Sequence, residues 1–177
     1  SSTAPSSGAT VNATGGGTTI YSDSSNAVTL VTTIVAVNDA PVASGTSTLA
    51  AVNEDASTPA GSTVSTLFSG NFSDSTDTIA SGSIANTLAG IAVTAYTSDA
   101  AKGEWQYSSD GTNWNSITSV SGAASSLTYA STDRLRFFPT LDFNGATPTL
   151  TVILIETPTT VTSGASLDVT TRGTTTV

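Results

Sequence analysis

The sequence predicts an all-β protein, an antiparallel β-sandwich, and three observations carry that prediction. β-Branched and aromatic residues recur in short runs, many with a period of two. Gly, Asn and Asp punctuate the spaces between the runs. Charge is scarce: charged residues make up 10% of the 177-residue chain, against roughly 25% in ordinary soluble domains. Ser and Thr on outward strand faces account for that deficit, whereas a helical chain would need far more Lys, Glu and Leu.

The elements follow in order. Residues 28–37 are β-branched and long enough for a core strand. Residues 62–68 place Val64, Leu67 and Phe68 at a spacing that turns all three inward from one short helical turn. Residues 91–96 and 103–108 alternate as strands, and Ser109-Asp110-Gly111-Thr112 then predicts a tight hairpin into residues 114–117. Residues 135–139 read as a strand stopped by Pro139. Residues 148–155 form the strongest strand of the second half.

Composition removes several classes of function. The net charge is −9, from 13 acidic and 4 basic residues. Nucleic acid and anionic membranes are held by clusters of Lys and Arg, and none occurs, so neither is expected as a partner. The longest apolar runs are far short of a membrane span. Cys, Met and His are all absent, which removes disulfides, thiol nucleophiles and the commonest general base and zinc ligand. The acidic surplus has two readings: it keeps the molecule soluble, or it attracts cations such as calcium, which Asp and Asn oxygens ligate.

The chain also repeats itself. Ser7-Gly8-Ala9-Thr10-Val11-Asn12 matches Ser163-Gly164-Ala165-Ser166-Leu167-Asp168 at a separation of 156 residues, and residues 16–20 match 173–177 after one inserted residue. The first copy runs on into residues 28–37, whereas the second stops at Val177. The repeat therefore predicts a main domain, 37–177, that lacks its own last strand. Residues 1–36 would be the last strands of a preceding repeat. The open edge is filled either by a continuing chain or by residues 18–36 of a neighbouring copy through strand addition.

Four stretches then carry a resemblance: Val37-Asn38-Asp39-Ala40-Pro41-Val42; Asn53-Glu54-Asp55; the hairpin at 103–114; and Phe138-Pro139-Thr140-Leu141-Asp142-Phe143-Asn144-Gly145. In this order they resemble the bacterial cadherin-like repeats of large RTX-type or VCBS-repeat surface adhesins. That resemblance implies a secreted, cell-surface, Ig-like (cadherin-type) sandwich, stacked end to end, often with calcium at the junctions. Carried over residue by residue, the implied calcium ligands are Asn38, Asp39, Glu54, Asp55, Asp142 and Asn144. The sequence departs from the pattern at Ile155-Glu156-Thr157, where many relatives have aspartate. It also has no D-x-D pair and no RTX nonapeptide.

Each candidate has a plainer alternative. Asp39, Glu54 and Asp55 converge on a calcium ion, or Asn38-Asp39-Ala40-Pro41 is a turn in which Asp39 bonds nearby amides. Trp105 and Trp114 stack on a sugar ligand, or, with Tyr107 two residues from Trp105 on one strand face, they pack into the core. Asp74 and Asp77 ligate a metal, or they lie in a solvated polar loop. Asn12-Ala13-Thr14 and Asn71-Phe72-Ser73 match the N-glycosylation pattern. Nothing in the sequence brings Glu54, Glu104 and Glu156 to the separation that glycoside hydrolysis needs, so no enzyme is expected. The expected role is mechanical: a spacer between neighbouring repeats or copies of itself. A self-assembling strand-exchanged fibre and a carbohydrate- or protein-binding adhesin are the alternatives.

Overall fold

In a computed structural model of the chain, residues 7–8, 27–35, 37–78 and 84–171 are described. The chain divides into two units, Ser1–Val35 and Ala36–Val177.

In the first unit Ser7 and Gly8 form a turn, with Gly8 at φ 74°. Residues 27–35 carry no strand, and Val28, Leu30, Val31, Ile34 and Val35 are 80–97% exposed. This overturns the expectation of a core strand over 28–35. β-Propensity only registers a fit to a pleated, half-buried surface, and these side chains are exposed.

The second unit holds β1 (Val42–Ala43), β2 (Ser62–Thr63), α1 (Val64–Phe68), β3 (Phe72–Ser73), β4 (Leu88–Ala95), β5 (Gly103–Ser108), β6 (Asn115–Ser116), β7 (Ser126–Ala130), β8 (Arg134–Pro139), β9 (Thr151–Glu156) and β10 (Ser166–Leu167). The unit is all-β with little helix. One four-stranded sheet runs β10-β7-β4-β9, another runs β2-β8-β5-β6, and β1 pairs β3. Every pairing is antiparallel.

The inward faces of both large sheets share one core. Ile91 and Val93 of β4, Tyr129 of β7 and Leu135 of β8 cluster with Val64, Tyr96, Ile117 and Val120. Trp105 and Tyr107 of β5 and Val152 and Leu154 of β9 pack against that cluster. β8 shows the alternation that its sequence predicts: Leu135, Phe137 and Pro139 are buried, Arg134, Arg136 and Phe138 half-buried. The short helix forms where expected because the Thr63 hydroxyl accepts the Thr66 N–H at 3.1 Å. It seats Val64 fully inside and Leu67 and Phe68 at its margin.

The expected tight hairpin after β5 is instead a six-residue loop, 109–114. The Asp110 carboxylate organises it, accepting N–H bonds from Thr112 (2.8 Å) and Asn113 (2.7 Å) and a hydroxyl bond from Ser108 (3.0 Å). A carboxylate that collects four donors, the Asn113 side-chain amide at 2.6 Å being the fourth, holds a wider loop than an Asp-Gly dipeptide alone requires.

Candidate functional site

The six implied calcium ligands fall into two groups, and β9 separates them. Asp142 and Asn144 precede its first residue, whereas Glu156, its last, meets Asn38. The hydrogen bonds of Asp142 and Asn144 run to Asp55 and Glu54, a set that shares no partner with Asn38 and Asp39.

At the loop end, the Asp142 N–H donates to Asp55 Oδ1 at 3.2 Å, and the Asn144 side-chain amide donates to Glu54 Oε2 at 3.1 Å. All four residues are exposed. They clasp two loops together, and the acceptors are already engaged.

At the other end a denser network forms. The Asn38 amide donates to Glu156 Oε1 at 2.7 Å, and Asn38 Oδ1 accepts from the Asn86 amide. The Asn86 backbone N–H in turn donates to Asp74 Oδ2. The Asp39 N–H reaches the Asp77 carboxylate at 3.0 and 3.3 Å. Asp74 and Asp77 are 5% and 4% exposed, so the solvated loop expected for them is corrected: they are buried at this end of the unit. Asp39 acts here through its backbone N–H on a carboxylate 38 residues away, and residues 38–41 do not form the turn that the plainer alternative expects.

Two oxygens in this network stand out. Asp74 Oδ1 and Glu156 Oε2 are buried without a hydrogen-bond partner. A desolvated carboxylate oxygen with no donor is costly unless a proton or a cation satisfies it. Their chemistry, hard and anionic, fits calcium. Among the described residues, however, no three Asp, Glu, His or Cys side chains converge closely enough to hold a metal ion alone. Backbone carbonyls, water or a neighbouring repeat would have to supply the remaining ligands.

The aromatic candidates are engaged elsewhere. Trp105 donates its indole N–H to Pro148 O at 2.7 Å and meets Phe137 edge-on, with centroids 5.6 Å apart. Trp114 borders a shallow cleft with Arg134, and the Arg136 guanidinium lies 4.0 Å over its ring. Arg136 is fixed there by Gln106 Oε1 at 2.7 Å. The Asn71 side-chain amide, part of one sequon, donates to Ser44 O at 2.6 Å. Asn12 lies outside the described residues.

A second feature was not anticipated as a cavity. Between the two sheets lies a groove of about 1370 Å³. Leu135 and Phe137 of β8 line it, with Val152 and Leu154 of β9, Phe68 of α1 and Trp105 of β5; residues 43–56 form its outer wall. β9 is the last strand of its sheet, so its outer edge has no strand partner among the described residues.

Sequence reasoning had pointed at Asn38, Asp39 and the anomalous Glu156 but gave no signal for Asn86, whose partners are 12 and 48 residues away. No helix among the described residues is long and apolar enough to cross a membrane. No family model, curated protein or solved structure matches the chain.

Proposed function

We propose that the chain is a non-catalytic spacer module of a secreted bacterial surface protein, built from tandem Ig-like, cadherin-type β-sandwich repeats and stiffened at its Asn38 end by calcium. The observation that carries this reading is the repeated turn. Gly8 and Gly164, matched by the sequence repeat, adopt φ 74° and 73°. A left-handed turn at the same motif in both units is what two copies of one module would have.

Calcium would be held by Asp74 Oδ1 and Glu156 Oε2, the two orphaned oxygens that Asn86 and Asn38 link into one network. Bound there, it would neutralise two buried charges and tie the junction strand at Asn38 to the end of β9. Residues from an adjoining repeat would complete its shell, as a junction ion requires.

The adhesin alternative is less favoured, because the ring and N–H of Trp105 and the ring face of Trp114 beneath Arg136 are already committed within the unit. The fibre alternative draws support from the exposed apolar segment at 28–35. Single-molecule pulling on the chain tests the spacer reading. A discrete unfolding peak for Ala36–Val177, raised by calcium and lowered by chelator, is the expected result. Extension without a resolvable peak would remove it.

A further inference from the structure

Two apolar features of this chain are complementary, one an exposed segment and the other a groove beside a strand edge. One is the segment 28–35, whose five large apolar side chains are 80–97% exposed. The other is the groove beside β9, walled by Leu135, Phe137, Leu150, Val152 and Leu154.

We propose that residues 28–35 of one copy add as a strand to the outer edge of β9 in a second copy, and fill its groove. This rests on the tandem-repeat reading and names the partner of that module.

The chemistry of the segment fits. It contains no charged residue, and it alternates: Val28, Leu30, Thr32 and Ile34 share one face, and Thr29, Val31, Thr33 and Val35 the other. The first face would enter the groove. The second would lie outward, with Thr among its members. The backbone of the segment would satisfy the N–H and C=O groups that β9 presents along its unpaired edge. β9 offers six residues for this pairing, close to the ordinary length of a strand.

Scale favours a chain over a small ligand. At about 1370 Å³ the groove exceeds the usual range for small-molecule pockets, roughly 300–1,000 Å³. Its lining draws on both β8 and β9. The internal repeat supplies the match between donor and acceptor. Residues 28–35 follow the Ser7-Gly8 turn, and that turn corresponds to Ser163-Gly164 beside β10 in the acceptor unit. In the tandem reading, a unit of this kind is followed in sequence by a segment of this kind.

The test compares the full chain with the double variant Leu30→Asp, Ile34→Asp, in which both charges fall on the inserted face. These positions are exposed in the first unit, so folding of Ala36–Val177 stays intact and serves as the control. Sedimentation across the micromolar range is expected to show association for the parent chain and at least about tenfold weaker association for the variant. A synthetic peptide of residues 27–35 should bind the variant and protect alternate β9 amides from hydrogen exchange; a scrambled peptide should not. The proposal is overturned by association that survives both aspartates, by equal binding of the scrambled peptide, or by a monomer whose outward-facing β9 amides, those not bonded to β4, are already protected. A monomer that ignores the peptide also overturns it and leaves the spacer reading, which the pulling experiment judges separately.

Discussion

Asn38 holds Glu156 by a 2.7 Å bond from its side-chain amide to Oε1, although 118 residues separate them in sequence. The bond leaves Glu156 Oε2 buried and alone, and the junction chemistry follows from that asymmetry.

Calcium at saturation, about 100 times its Kd, should stabilise the unit by about 2.7 kcal/mol. Glu156→Gln and Asp74→Asn should each remove most of that gain. Glu54→Gln, at the opposite loop clasp, should leave it unchanged. Calorimetric melting with calcium and with chelator reads all three. A gain that depends on Glu54 and not on Glu156 would move the ion to the other end.

Trp105 and Trp114 should separate cleanly by denaturant unfolding. Trp105→Ala removes ring packing against Phe137 and the bond to Pro148 O, and should cost about 3 kcal/mol. Trp114→Ala loses its stack with Arg136, worth about 1 kcal/mol or less at a half-exposed site. Equal costs would contradict the assignment of Trp105 to the core.

Gly164 tests the turn. A Cβ there would stand 2.4 Å from the Tyr107 hydroxyl, on a backbone at φ 73°. Gly164→Ala should therefore cost about 2 kcal/mol or more, and adding Tyr107→Phe should return part of it. Gly8 has the same φ but open space around it, so Gly8→Ala should leave unfolding of Ala36–Val177 unchanged. Urea titration of the single and double variants measures the coupling.

Hydrogen bonds from Asn113, Thr112 and Ser108 hold the Asp110 carboxyl well below its ordinary value near 3.8. A depressed folded-state pKa adds stability above the unfolded value, and that contribution disappears as pH falls toward the folded one. Melting temperature should thus fall below about pH 4, and Asp110→Asn should flatten that acid limb. An unchanged pH profile in the variant would show that the loop carboxylate does not contribute.

Much of the second unit is legible in its sequence. β5 occupies the predicted residues 103–108, β8 begins one residue early and ends at Pro139 as expected, and α1 sits inside the predicted turn. In each case local alternation, a proline or a capping hydroxyl decides the outcome. What the sequence hides is pairing across distance. Residues 28–35 have strand chemistry but form no strand. Asp74 and Asp77 look like loop residues because their partners, Asn86 and Asp39, are 12 and 38 residues away. The division of the calcium candidates is likewise invisible until β9 is seen to stand between them.

The unpaired edge of β9 has a consequence for how such a protein is made. During synthesis an edge that accepts a strand by backbone bonding does not distinguish its proper partner from an equivalent strand of an adjacent repeat, and misassembly between neighbours is the characteristic failure of repeat chains. The two matched segments share Ser-Gly-Ala and then differ at each of the next three positions, Thr10-Val11-Asn12 against Ser166-Leu167-Asp168. In the tandem reading proposed above, divergence of that kind would keep neighbouring copies from exchanging equivalent strands, and so help a long chain emerge with its strands sorted.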